Sequence, residues 1–471
     1  MELSARLESI VGSTNVLTDA AARATYGRDW LTDYAPNPCC VVRPRTTDEV
    51  SAIVRLALEH GVPIVPSGGR TGLSGGAAAT QGEVVLSLER MTTIDVVNPI
   101  DRTVRCEAGA ITERIQRVAE EAGLFFPIDF ASRGSSQIGG NIATNAGGIR
   151  VLRFGSMRDW VLGLTVVTGT GEVLELNGDL FKNNTGYDLR GLVCGSEGTL
   201  AIITAATLKL TDPLPPAIRV VCGLADSSGI GDLLAAVRGR YPGVGLFEYF
   251  SGLCLDVVVR HTGARPPFPT RYPGYVIFEV AGDAGAPNDA LIDWLGELTA
   301  AGRIVDAVVG RSIDQGRELL GLRESISATL SKYYTLHKND IAVPVQRMGS
   351  FLSEIETFVA QAYPTAHCAL FGHVADGNIH VNILKPDGVS TPEFTARAHA
   401  VDADLFALVR AARGTISAEH GVGLLKRDFL HFTRSQAEIE ILRGIKRIFD
   451  PHGILNPGKI FAAEAKVTPA R

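Results

Sequence analysis

Two histidines bracket an Asp-Gly pair in the second half of the chain. Residues 370–382 read LFGHVADGNIHVN, with His373 and His380 on either side of Asp376-Gly377. An Asp-Gly pair between apolar runs predicts a two-residue type I′ hairpin turn, whose two central positions both need positive φ. That turn pairs Ala375 with Asn378, Val374 with Ile379 and His373 with His380. Directly opposed residues share a face with Cβ atoms roughly 4.5–5.5 Å apart, and Asn382, two positions on, points the same way. Two imidazoles and a carboxamide so placed suit a divalent metal of the zinc type, which binds imidazole nitrogen at about 2.0–2.1 Å. Residues 417–423, SAEHGVG, add Glu419 beside a further histidine, His420. Three protein ligands with an open position form the pattern of a catalytic metal. The alternative is a hairpin with two polar side chains at its edge.

These groups sit in a region where strand-like runs alternate with helical ones. Strands are expected at Val220–Leu224, Tyr275–Ala281, Arg303–Val309, Ile341–Val343 and His367–Phe371. Helices are expected at Asp289–Ala301, Arg317–Ser331, Arg347–Ala362 and Pro392–Ala412. The pattern predicts an α+β cap over residues 213–449, with a mainly antiparallel sheet. Asp212-Pro213-Leu214-Pro215-Pro216 reads as the linker before it, and residues 450–471 as a turn-rich tail. Arg323 and Ser327 are four apart on a predicted helix and share a face; a surface ion pair is the other reading for this arginine.

Residues 1–212 carry two glycine-rich stretches among short strands and helices. Thr47-Asp48-Glu49 opens an amphipathic helix that ends near His60-Gly61, and strands follow at Val62–Pro66, Val84–Ser87, Ile94–Val97 and Thr103–Glu107. Between the first two of these lies PSGGRTGLSGGA, residues 66–77. Such glycine density lets backbone N–H groups turn inward as an anion-binding nest, and Arg70 adds charge, so a pyrophosphate is the natural guest. The stretch lacks the Gly-Lys-Ser/Thr ending of a P-loop and the G-x-G-x-x-G of a nicotinamide site. The second stretch, residues 128–148, is small and polar, suited to a backbone pressed against a flat ligand, with Asn141, Thr144 and Asn145 able to bond ring edges. A long surface loop is the alternative. Gly169-Thr170-Gly171 reads as a hairpin turn.

Composition narrows the classes. A chain of 471 residues exceeds one core, so two or three domains are expected. A net charge of −6 gives no basic face for nucleic acid. Seven scattered cysteines without C-x-x-C argue against an intrinsic iron–sulfur cluster and fit reduced thiols. The acid-containing N-terminus lacks the features of a signal peptide, and no apolar run is long enough to span a bilayer. A cytoplasmic protein, free or peripheral to a membrane, is expected; a homodimer is one assembly open to it.

Taken together, residues 66–76, 139–148, 195–199 (GSEGT) and the His373–His380 hairpin with Glu419-His420 resemble the FAD-linked D-2-hydroxyacid dehydrogenases of the vanillyl-alcohol-oxidase type, most nearly the D-2-hydroxyglutarate dehydrogenases. The likeness runs from Arg28-Asp29-Trp30 to Asn456-Pro457-Gly458-Lys459. It implies an N-terminal, PCMH-type FAD-binding domain of two α/β subdomains, a substrate cap, and a C-terminal tail that returns to the flavin. It implies that the backbone of Pro66, Ser67, Gly68, Gly69, Arg70, Thr71 and Gly72, with Ser74, holds the FAD pyrophosphate. It places Asp129, Gly134, Ser135, Gly139, Gly140, Asn141, Thr144, Asn145, Gly147, Glu197, Gly198 and Asn456 along the cofactor. Some relatives attach flavin through a histidine in the first loop; Arg70 stands in that region here, which implies non-covalent FAD.

The resemblance also makes His373, His380 and Glu419 metal ligands and His420 the catalytic base. It makes Arg323, Ser327 and Lys338 the holders of a substrate carboxylate, with Asn382 beside them. This sequence departs from the family in three places: Ser327 for Thr, Ala375 for Gly in the metal hairpin, and Ala201 for Gly. The implied reaction is oxidation of a D-2-hydroxyacid to the 2-oxoacid, with hydride transfer to flavin N5. Two cations plus a metal favour a dicarboxylate such as D-2-hydroxyglutarate. D-lactate or glycolate is the alternative substrate, and a non-catalytic flavin-binding electron-transfer subunit is the alternative class. The electron acceptor, by analogy, is electron-transfer flavoprotein or a quinone-linked carrier.

Overall fold

The structure is a computed structural model that describes residues 3–31, 33–283 and 289–462. It divides into two compact units. The first comprises residues 1–147, 155–213 and 419–471; the second comprises 148–154 and 214–418.

The first unit holds two four-stranded sheets. One contains β1 (Val16–Leu17), β2 (Cys40–Val42), β3 (Ile64–Ser67) and β4 (Val84–Ser87) in the order β1-β2-β4-β3. Here β4 runs parallel to β2 and β3, and β1 is antiparallel to β2. The crossover from β2 to β3 is the helix Thr47–His60. The Thr46 hydroxyl caps it by accepting from Glu49 N–H, and Gly61 closes it in the left-handed region at φ 61°. Its apolar face buries Val50, Ile53, Val54 and Ala57. The second sheet contains β5 (Thr103–Glu107), β6 (Val161–Thr168), β7 (Val173–Leu176) and β8 (Ala201–Lys209), all antiparallel, in the order β5-β8-β6-β7. Gly169-Thr170-Gly171 is the turn between β6 and β7, as expected. The C-terminal part of the chain closes this unit: Asn456 N–H donates to the Ile64 carbonyl beside β3 at 2.7 Å.

One strand expectation is corrected. Ile94–Val97 makes only a single bridge, Ile94 to Cys106, and Val96 is 94% exposed. Val97 is buried and Ile94 packs against the core, yet the run lies along β5 without extending a ladder.

The second unit is built on one seven-stranded sheet: β9 (Ala217–Leu224), β10 (Phe247–Ser251), β11 (Gly274–Ala281), β12 (Asp306–Val309), β13 (Leu336–Ala342), β14 (His367–Gly372) and β15 (Asn378–Leu384). Their order is β12-β9-β11-β10-β14-β15-β13, and every pairing is antiparallel. The helix Ile313–Tyr333 packs Leu319, Leu322, Ile326 and Leu330 into a core shared with Phe250, Ala369 and Phe371 from the sheet. This is the expected α+β unit. The sequence reading lacked β10 and the helices Ile230–Arg240 and Gly252–Thr262, and began β13 five residues late.

The hairpin register is also corrected. Phe371, not His373, stands opposite His380, and Ala369 stands opposite Asn382. The turn spans residues 373–377 and is tied by the His373 carbonyl, which accepts from Asp376 N–H at 3.0 Å and Asn378 N–H at 3.2 Å. Only Gly377 takes positive φ, at 91°; Asp376 does not, so no type I′ turn forms. The pairing differs from the expected one by two residues, which keeps each side chain on its face. His373 therefore still shares the face of His380.

Candidate active site

Register places the chemistry of the second unit on one face of its sheet. Lys338 pairs with Asn382, and Asp340 with His380, across β13 and β15. Phe371 pairs with His380 across β14, and Phe250 of β10 pairs with Phe371. Alternation then puts Glu248, two residues before Phe250, on the same face. Glu248, Phe250, Asp340, Phe371 and Asn382 are buried and Lys338 and His380 nearly so, in surroundings where a charge needs a partner.

The two imidazoles have matching arrangements. His373 Nδ1 lies 2.8 Å from Glu248 Oε1. His380 Nδ1 lies 3.3 Å from Asp340 Oδ1. A carboxylate accepts, so Nδ1–H is the donor toward it in each pair. The ring centroids are 5.6 Å apart and nearly perpendicular. Both oxygens of Asp340 accept hydrogen bonds: Oδ1 from Asn378 Nδ2 at 2.8 Å, and Oδ2 from Ala418 N–H at 3.0 Å. The second bond fixes the chain just before Glu419. Ligand atoms of Asp340 and His380, both in this unit, lie within 4.8 Å of each other, and an imidazole backed by a carboxylate is a donor of the zinc type.

Arg323 approaches from the helix Ile313–Tyr333 and is 5% exposed. One terminal nitrogen lies 2.8 Å from Glu248 Oε2, and the guanidinium stacks over the Phe371 ring at 4.8 Å. The surface ion pair considered for it is thus a buried one. Its contact with Glu248 is close but not aligned as a hydrogen bond, and its Nε has no hydrogen-bond partner. Lys338 donates to Ser331 Oγ at 2.7 Å, and burial pulls its ammonium below the ordinary lysine pKa of 10.5. Ser327 offers its carbonyl to the Ser331 hydroxyl within the same helix. Asn382 Nδ2 reaches the Ala369 carbonyl at 3.5 Å.

Glu248 and Asp340 escaped the sequence reading. Each is a single acid beside an apolar run, in LFEYF and NDIAV, and a lone buried acid in a strand signals a paired cation or an oriented histidine.

In the first unit, the glycine-rich blocks meet around the end of β3. A Cβ on Gly69 would stand 2.2 Å from the Ser135 carbonyl oxygen, and one on Gly139 would stand 2.7 Å from Ala108 Cβ. One on Gly198 would stand 3.2 Å from Pro66 Cγ, and Gly68 faces Gln137 and Gly140. Arg70 has φ 58° and stacks over Tyr26 at 4.5 Å, with Thr71, Gly72 and Ser74 following. Asn456 Nδ2 joins the blocks by donating to the Gly76 and Glu197 carbonyls at 2.9 and 2.7 Å. Residues 138–144, for which a surface loop was the alternative, form a short helix. Asn145 ends it at φ 51° and accepts from Arg158 N–H. Asn141 donates to Thr112 at 2.6 Å, Thr144 to the Gly140 carbonyl at 3.0 Å, and Asp129 accepts from Arg133 at 2.6 Å. Glu197 spends its carboxylate on Val422 and Gly423 N–H, both at 2.7 Å, and burial raises its pKa. Gly134 and Gly147 flank this region. The buried side-chain oxygens Ser67 Oγ, Gln137 Oε1, Ser196 Oγ and Asn456 Oδ1 lack hydrogen-bond partners. Buried orphans of this kind, beside a cradle that only glycine permits, fit a polar cofactor such as FAD.

Comparison with known proteins agrees. Residues 215–460 match the family model described as FAD linked oxidases, C-terminal domain, and residues 38–177 match FAD binding domain. The chain is 45% identical to a D-2-hydroxyglutarate dehydrogenase of Stutzerimonas stutzeri, over 97% of this chain and 98% of the relative. It is 35% identical to a mitochondrial D-2-hydroxyglutarate dehydrogenase of Bos taurus, over 98% of this chain and 84% of the relative. In fold it resembles 4-ethylphenol oxidase from Gulosibacter chungangensis, with TM-score 0.74 at 18% identity, covering 98% of this chain and 97% of that one. The chain belongs to the FAD-linked oxidase family that includes the D-2-hydroxyglutarate dehydrogenases, and is an FAD-dependent oxidoreductase acting on a hydroxyl group.

Proposed function

We propose that the protein oxidises D-2-hydroxyglutarate to 2-oxoglutarate with metal assistance. The observation that carries this reading is the single sheet face bearing Lys338, Asn382, His380 and His373, with Arg323 beside it. FAD supplies the two-electron acceptor, and a divalent cation of the zinc type supplies Lewis acidity toward the substrate hydroxyl.

His373, His380 and Glu419 are the residues that would hold the cation. Asp340, though close to the same atoms, is better read as the group that orients His380, because both its oxygens already accept hydrogen bonds. His420 takes the hydroxyl proton on a ring nitrogen, as a general base. Arg323 and Lys338 bind the distal carboxylate, with the Ser327 hydroxyl and Asn382 amide fixing its orientation. Two cations over-provide for a monocarboxylate, which is why the dicarboxylate is preferred to D-lactate or glycolate. The glycine cradle of residues 66–72 holds the FAD pyrophosphate; it offers Arg70 and no histidine, so FAD is bound without a covalent link. Electrons then leave to an external acceptor, an electron-transfer flavoprotein or a quinone-linked carrier. No helix among the described residues is long and apolar enough to cross a membrane.

Anaerobic titration of the bound flavin with D- and L-2-hydroxyacids tests this. D-2-hydroxyglutarate should bleach the flavin at lower concentration than D-lactate or glycolate, and the L-enantiomer should leave it oxidised. Bleaching by D-lactate with no response to D-2-hydroxyglutarate would reject the substrate assignment. No bleaching by any acid in metal-replete protein would favour the electron-transfer subunit.

A further inference from the structure

Glu248 touches two functional groups at once. It lies on β10, 2% exposed, with Oε1 2.8 Å from His373 Nδ1 and Oε2 2.8 Å from an Arg323 terminal nitrogen. We propose that Glu248 is a positioning residue that couples the metal ligand His373 to the substrate anchor Arg323, so that cation and substrate carboxylate are held by one unit. This rests on the reading of the site given above.

Three physical points support it. A carboxylate buried this deeply needs compensating charge and hydrogen bonds, and Arg323 with the His373 N–H supplies them. The same carboxylate fixes the His373 tautomer, because it accepts the Nδ1 proton and leaves Nε2 as the coordinating atom. The Arg323 contact is electrostatic rather than a directed hydrogen bond, and Nε is unpartnered. Arg323 is held between the Glu248 carboxylate and the Phe371 ring. A group that orients both ligands makes their binding interdependent in either order.

The proposal differs from a purely structural ion pair in one readout. Arg323 is not a metal ligand, yet its loss must disturb His373 through Glu248. The test is titration of zinc ion alone, against a competing chromophoric chelator, into metal-stripped, FAD-loaded protein with no substrate present. Glu248→Gln should weaken zinc binding about 10- to 100-fold, as loss of a carboxylate behind a ligating histidine does. Its KM for D-2-hydroxyglutarate should rise as well, with FAD content unchanged. Arg323→Met should weaken zinc binding about tenfold by the same route. If Glu248→Gln fails to fold, Arg323→Met decides alone. Wild-type zinc affinity in Arg323→Met overturns the coupling. His380→Ala separates that outcome from failure of the site itself: it must lose zinc, and if it binds zinc as the wild type does, the metal assignment falls first.

Discussion

At the scale of single residues, the account assigns separable tasks to neighbouring groups. His420→Asn should lower kcat about 10²- to 10⁴-fold, the range for a general base, while zinc and FAD contents stay at wild-type levels. Loss of either would move His420 from proton transfer to binding. Lys338 gives a pH signature. Burial favours its neutral form, so the ammonium that pairs with the substrate carboxylate deprotonates below the ordinary value of 10.5. Substrate affinity is therefore full at pH values under the lowered pKa and falls as pH rises through it. KM for D-2-hydroxyglutarate should climb on this alkaline limb, and Lys338→Arg, which stays charged, should flatten it. An unchanged limb in Lys338→Arg would assign the titration to another group. The histidines were legible because an Asp-Gly pair announces a turn and fixes which residues share a face. The carboxylates behind them were not, since Glu248 is 125 positions from His373 and only the sheet brings them together.

At the scale of elements, two glycines carry testable geometry. Gly377 sits at φ 91° with the Val343 carbonyl oxygen 2.2 Å from where a Cβ would be. Gly377→Ala should cost more than about 1 kcal/mol, since neither the conformation nor the space admits a methyl group. Zinc should be lost with stability, which a melting curve and metal analysis would show. Gly69→Ala meets the Ser135 carbonyl at 2.2 Å and should reduce the FAD-to-protein ratio measured from the visible spectrum. A full complement of FAD would place the pyrophosphate elsewhere. Long periodic elements were readable: the helix Thr47–His60 declares itself by its cap, its apolar stripe and its closing glycine. The hairpin was readable in its face and not in its register, because the five-residue turn is held by the His373 carbonyl and not by the Asp-Gly pair alone. Residues 138–144 hid a helix, since glycine and asparagine weaken the local signal and the helix is stabilised by packing of Ile138 and Ile142 in the core.

At the scale of the molecule, the chain order is not the order of the compact units. Residues 419–471 belong with residues 1–147 and 155–213, joined by bonds such as Lys446 to the Thr199 carbonyl at 2.6 Å and Asn456 to Ile64. Local patterns cannot show such closure, because its partners are hundreds of positions apart. What sequence did convey was the combination of glycine cradle and histidine hairpin, two chemistries that make sense in one oxidoreductase. The most direct test of their partnership uses one sample in three states: as isolated, after removal of metal by a chelator, and after zinc is restored. Mixed anaerobically with D-2-hydroxyglutarate, the flavin should bleach rapidly, then barely, then rapidly again, its absorbance before mixing being the same throughout. Equal bleaching rates in all three states would contradict the account.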